Sequence, residues 1–306
     1  MSIVPKDIFS DKIKTGSPLV ETTPFVFDGR LYLLENWRKM WDYPIVLDGY
    51  PQNVKTKYLT WDIARVRDIE ADKIISVPMV GMGFCSAFVD DDRVYVFGSK
   101  FNNDKTWNSK EIWMCYSDDL FIWSHPECIL EADEDELFFN INVCKKLGGE
   151  GFVLLVETDA APWPKFTFRF LESENLTDWS PIDGAIYGDD KYVGGPAIYT
   201  VNDFYYVCYL DEAPEGWITR IARSKDLKNW QDAPKDKPVL MYNKENDCHR
   251  LRGEGIKENN VSDLELCEFN GKTLLYFTGG DQLVCGDLQY ARYPGSMQEL
   301  FESFFN

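Results

Sequence analysis

Asp263 and Glu265 stand two residues apart in the run "VSDLELCEF". In a strand such residues share a face, while Leu264 and Leu266 share the other. Two carboxyls held side by side repel each other, so one keeps its proton to a higher pH than usual and becomes a donor. Equally, either could cap the strand or bind Arg38 or Arg250. Three more acids sit at the ends of apolar runs: Glu21 in "VETTPF", Glu157 in "VETDA" and Glu212 in "DEAPEG". Asn140 and Asn142 hold similar places. The segments that follow such runs carry Trp37 beside Arg38, then Trp107, Trp163 and Trp217.

The elements that must position these residues are strands. Five stretches share one form, an apolar strand, a polar turn and a second aromatic-rich strand: "FVFDGRLYLLE", "AFVDDDRVYVFG", "VCKKLGGEGFVLLVE", "AIYTVNDFYYVCYL" and "LCEFNGKTLLYFTG". Asp28-Gly29 and Asn270-Gly271 are dipeptides of the kind that tight hairpins need, because both residues tolerate positive φ. Taking Tyr32, Tyr95, Val153, Tyr206 and Leu274 as equivalent gives spacings of 63, 58, 53 and 68 residues. A third strand follows each later hairpin, and Ser-x-x-Leu-x-x-Trp recurs after it at 117–123, 173–179 and 224–230. That element marks a turn into an outer fourth strand, with Trp123, Trp179 and Trp230 packing between neighbouring sheets.

A three- or four-stranded unit cannot cover both its faces, so copies must stack, and radial stacking closes the array. The expectation is an all-β chain, a single five-bladed β-propeller of about four antiparallel strands per blade, with blades at 18–75, 80–133, 137–187, 192–240 and 258–306. The segments before Val20 and after Tyr293 help close the ring, and "SMQELFESFF" reads as helix. In such a blade the start of the first strand and the end of the second share a rim. Acids and amides therefore crowd one mouth of an axial funnel. Groups that accept hydrogen bonds from hydroxyls, beside flat rings that cover C–H faces, suit a sugar. The plain alternative is that strand ends are polar where they meet water and single tryptophans cap the sheets.

Composition narrows the partners. With 51 acidic against 32 basic residues the net charge is −19, which disfavours nucleic acid and anionic membranes. The run "EADEDE" (131–136) reads as a solvated face. No apolar core of signal-peptide length occupies the first thirty residues, and no segment approaches a membrane span. Eight cysteines include no Cys-x-x-Cys pair, and Cys85, Cys144, Cys208 and Cys267 lie in apolar runs, as in a reducing compartment. A cytoplasmic location is the expectation.

The fifth unit, "NNVSDLELCEFNGKTLLYFTGGDQ", the stretch "ETTPFVFDGRLYLLENWR" and the repeated Ser-x-x-Leu-x-x-Trp together resemble the five-bladed propeller glycoside hydrolases of the broad group around families 43 and 117. Those enzymes act on furanosides, xylosides and anhydrogalactosides, mostly with inversion. The resemblance implies a general acid and a general base ~6.5–9.5 Å apart, and a third carboxylate that tunes the acid. Where the family 43 pattern opens with Asp-Pro, this chain has Glu21-Thr22-Thr23-Pro24. Where that pattern has the acid in Glu-Gly-Pro, it has Gly194-Gly195-Pro196, so the acid must come from another blade. Glu21 or Asp263 is then the base, with the acid among Glu157, Glu212, Glu265 and His249. A histidine near the centre occurs in family 117, which brings in His249 of "NDCHRLRGEG"; a structural or solvated role is its alternative. Arg38, Trp37, Trp107, Asn140, Trp163, Trp217 and Arg250 would contact substrate. No cofactor is required; the group also admits a divalent cation on the axis, although no metal-ligand spacing appears here. Two other readings are a carbohydrate-binding propeller without catalysis and a glycoside phosphorylase, which would need Arg38, Lys39, Arg250 and Arg252 to hold phosphate.

Overall fold

The computed structural model describes residues 8–9, 12–15, 19–38, 62–101, 109–164, 166–246, 257–281 and 286–306. A short strand β1 (Ile13–Lys14) precedes the first unit, β2 (Val20–Phe27), β3 (Arg30–Arg38), β4 (Asp62–Asp68) and β5 (Lys73–Val80). The second unit is β6 (Met82–Asp90), β7 (Arg93–Phe101), β8 (Ser109–Ser117) and β9 (Glu127–Glu131). The third is β10 (Leu137–Lys145), β11 (Phe152–Asp159), β12 (Thr167–Ser173) and β13 (Ser180–Tyr187). The fourth is β14 (Gly194–Val201), β15 (Phe204–Ala213), β16 (Gly216–Ser224) and β17 (Trp230–Asp232). The fifth is β18 (Asn260–Phe269), β19 (Lys272–Gly280) and β20 (Gly286–Tyr293), followed by α1 (Met297–Ser303). Within each unit successive strands pair antiparallel, and β1 supplies the fourth strand of the last by pairing with β20. No helix of the described residues is long and apolar enough to cross a membrane.

Local chemistry prescribes the turns. Asp28-Gly29 and Asn270-Gly271 both take positive φ, the conformation that matches a two-residue hairpin to strand twist. Ser296 caps α1 by accepting from the Glu299 amide, while Glu299 accepts from the Ser296 amide, a capping box. Along the strands apolar residues alternate into five cores, each lying between two adjacent units. The innermost strands β2, β6, β10, β14 and β18 touch one another in that order, and β18 touches β2.

The repeated Ser-x-x-Leu-x-x-Trp is a self-capped turn. Ser117, Ser173 and Ser224 accept through Oγ from the amides of Leu120, Leu176 and Leu227 at 2.9, 3.0 and 2.9 Å. Each leucine sits at φ 65, 67 or 62 and is fully buried. The tryptophan indole returns to the leucine carbonyl at 3.2, 3.1 and 3.0 Å. Asp119, Asn175 and Asp226 accept from the two amides beyond the leucine. Each turn thus drives a Leu–Trp pair into the core shared with the preceding unit; Trp123 also donates to Ser76 of β5 at 3.1 Å. Leu176→Ala should therefore cost about 3 kcal/mol, read from urea unfolding, whereas Ile122→Ala in the equivalent exposed turn should change stability by less than about 0.5 kcal/mol.

One expectation is corrected. The acidic run 131–136 is not wholly solvated: Glu136 at its end is buried, accepting from Thr158 Oγ1 at 3.0 Å and from Arg169.

Candidate active site

Every innermost strand carries a register shift near its start: between Val20 and Thr22, Gly83 and Ser86, Phe138 and Ile141, Gly194 and Ala197, and Ser262 and Glu265. An inserted residue bends a strand and re-aims a side chain. At four of these bulges the inserted residue is left-handed, with φ of 54 at Glu21, 52 at Phe84, 50 at Gly195 and 53 at Asp263. Non-glycine residues seldom accept that conformation, so its recurrence at Glu21, Phe84 and Asp263 marks a place where side-chain direction matters. The bulges gather Glu21, Ser86, Asn140, Gly195, Asp263 and Glu265, with Phe84, Cys85, Ile141 and Pro196, around a common well. Its cavity of about 20 Å3 has room for one water molecule.

Two carboxyls, Glu265 on the wall of the well and Glu157 beside it, are perturbed in the same direction by different surroundings. Glu157, on β11 and only 3% exposed, accepts through Oε2 from Asn140 Nδ2 at 2.7 Å and from the Gly195 amide at 3.3 Å. Burial, and then the charge of Asp263, push its pKa up to about 8. Glu265 is held by residues of three other units: Thr23 Oγ1 at 3.2 Å, Asn142 Nδ2 at 3.0 Å and Tyr199 Oη at 3.4 Å. Burial raises it too, to about 8, with Asp263 adding to the effect. Asp263 itself accepts from Ser262 Oγ at 2.6 Å. The site thus offers two carboxyls that hold their protons past neutral pH, Glu265 on the wall of the well and Glu157 behind Asn140 and Gly195, with Asp263 acting on both. Asn36 locks the wall by bonding the Glu21 carbonyl at 2.5 Å and both the carbonyl and amide of Cys85 at 2.8 and 2.9 Å.

The glycines 194 and 195 are part of this geometry. A Cβ at position 195 would lie 2.7 Å from Asp263 Oδ1, so a side chain there would displace that carboxyl. A Cβ at position 194 would lie 3.0 Å from Tyr192 Oη and 3.6 Å from Glu157 Oε1. Glu157, from the neighbouring unit, therefore reaches the space that a side chain at 194 would enter.

Other sequence-derived candidates are dispersed. Glu212 is exposed and does not line the well, though its charge reaches Tyr192. Its cross-strand partner Trp217 is half-buried and also pairs with Asn260. Trp37 packs in the core between the first and fifth units, with the Arg65 guanidinium 5.6 Å from its ring, and Trp163 lies 5.9 Å from Arg169. Arg38 closes β3, with its side chain outside the described residues, as are Lys39, Trp107, His249, Arg250 and Arg252. Tyr192 and Tyr199 carry no signal of their roles in the sequence; each looks like an ordinary core aromatic, and only the proximity of Gly194 and of strand β18 reveals their polar surroundings. Among the described residues no group of three or more His, Cys, Asp or Glu is arranged to hold a metal ion.

No protein-family model matches this sequence, and no curated protein matches it. Its fold is shared. The catalytic domain of the Coprinopsis cinerea GH62 α-L-arabinofuranosidase superposes with a TM-score of 0.60 at 11% identity, covering 94% of this protein and 95% of that one. The GH43 endo-arabinanase from Bacillus licheniformis gives 0.59 at 10% identity, over 93% and 97%. The Cellvibrio cellulosa α-L-arabinanase complexed with arabinohexaose gives 0.58 at 10% identity, over 95% and 98%. The likeness spans nearly the whole length on both sides and is one of fold, in line with the resemblance read from the sequence.

Proposed function

We propose that the five four-stranded units are the blades of a closed five-bladed propeller and that the protein is an inverting glycoside hydrolase working in the axial well. The cyclic contact of the five innermost strands supports the ring. Glu157 is the proton donor, and the observation that carries this reading is its burial beside Asp263, which keeps the carboxyl protonated at neutral pH. An inverting reaction needs such a donor on one side of the glycosidic oxygen, and a charged carboxylate activating water on the other. Glu21 has the second part, on the wall of a cavity sized for one water. Burial holds the proton on Glu157 and like-charge repulsion from Asp263 adds to it, while Glu265, bound by three partners, positions the wall. In this assignment the donor comes from the third unit because position 194 in the fourth has no side chain.

The solved structures of similar fold include two arabinanases and an arabinofuranosidase, which makes α-L-arabinofuranosides the first substrates to test. Aryl furanosides and pyranosides complete the panel. The expected outcome is hydrolysis whose first product, followed by proton NMR, has the anomeric configuration opposite to the substrate. Rates should be independent of inorganic phosphate and unchanged by EDTA. A retained configuration would overturn the two-carboxylate geometry. The glycine at 194 favours a second reading, a sugar-binding propeller without catalysis; saturable sugar binding with no turnover, unaltered by Asp263→Asn, would establish it.

A further inference from the structure

Away from the well, the seam between the first and fifth units is built unlike the other four. Three of those are filled by the Leu–Trp turns, and the fourth, between units four and five, by Leu300, Phe301 and Phe304 of α1 and the turn after it. Among the described residues the first unit has no such plug. Between β4 and β5 it carries only the turn Ile69 to Asp72. Where the plug would enter stands a cleft of about 710 Å3, within the ~300–1,000 Å3 usual for small-molecule sites.

The lining has a definite chemistry. Leu31, Leu33, Leu274 and Leu288, at the surface of the core between the first and fifth units, give it an apolar lining. The acids at its edge are neutralised in place: Glu35 binds Arg65 and Arg67 at 2.7 and 2.5 Å, and Asp72 binds Arg67 at 2.8 Å. Lys272 and Arg292 are exposed on the rim, and neither has an ion pair among the described residues. Two such cations above an apolar slot are conspicuous on a protein of net charge −19. The Tyr290 ring is stacked on Tyr276 at 5.7 Å and also lies 5.2 Å from the Arg292 guanidinium, so its faces are not free for a sugar ring. We propose that this cleft is a second binding site, for a small molecule with an apolar body and an anionic end, the body lying against the leucine lining and the anion meeting Lys272 and Arg292. The site is independent of the proposed hydrolysis.

The test uses the full-length protein and the fluorescent probe 8-anilinonaphthalene-1-sulfonate. Saturable binding at one site is expected, displaced by octanoate and not by the same concentration of 1-octanol. The double variant Lys272→Glu, Arg292→Glu, at two exposed positions, should melt as the parent does and bind about tenfold more weakly or worse. Leu31→Trp, at a half-buried position of the lining, should fill part of the slot and weaken binding while leaving the rim charges in place. An unchanged titration in the charge-reversed variant, or no saturable binding by the parent protein, would overturn the proposal.

Discussion

Glu157→Gln is expected to lower turnover of a substrate with a poor leaving group by about 10^2–10^4-fold. The amide keeps the size of the side chain and can still meet Asn140, which donates to Oε2 at 2.7 Å, so the wall of the well should survive. What disappears is the proton delivered to the departing oxygen. An aryl glycoside whose phenolate leaves without protonation should therefore recover most of the loss. The pH profile supplies a second readout: activity of the parent should fall as pH rises through about 8, where Glu157 loses its proton. In Asp263→Asn that limb should move to lower pH, because the neighbouring charge that helps retain the proton is gone. Equal losses on good and poor leaving groups would remove Glu157 from the chemistry.

The second large effect is on stability. In the unfolded chain Glu157 and Glu265 ionise near the ordinary 4.5, while in the folded protein they hold their protons to about 8. Folding therefore takes up protons in that interval. The contribution of these groups is most favourable below 4.5 and declines as pH rises to about 8, by up to about 1.4 kcal/mol per pH unit for each group. Urea unfolding at pH 5, 6.5 and 8 should show Glu157→Gln gaining on the parent at each step and exceeding it at pH 8. The same residue would then be costly to the fold and necessary to the reaction. A difference between the two proteins that stays constant across the three pH values would rule this out.

Both effects depend on details unequally visible in the sequence. The hairpins were legible because their signals are local: Asp28-Gly29 and Asn270-Gly271 announce a turn whatever surrounds them. The Ser-x-x-Leu-x-x-Trp turn was legible for the same reason, since nearly all its hydrogen bonds fall within seven residues. Glu21, Asp263 and Glu265 were found from their places at the starts of inner strands. What alternation could not convey was the bulge, which gives Glu21 and Asp263 positive φ and aims them into the well. Nor could it separate Glu35 from Asn36. Glu35 turns outward to Arg65 and Arg67, while Asn36 turns inward to Glu21 and Cys85. Glu265 is the clearest case: its partners Thr23, Asn142 and Tyr199 lie in three other units, and nothing in its own neighbourhood announces them.

The pairing of β1 with β20 fixes an order of events during synthesis. Units two, three and four each draw their strands from one contiguous stretch and can settle as they leave the ribosome. Ile13 and Lys14 must wait for Tyr290 and Gln289, almost the last of the described residues to be translated. Until the two strands pair, β1 and the outer edge of β20 have bare amides and carbonyls, a template for pairing with a neighbouring polypeptide. The pairing spans nearly the whole described chain, so a chaperone or a low expression temperature that guards this edge should improve yield.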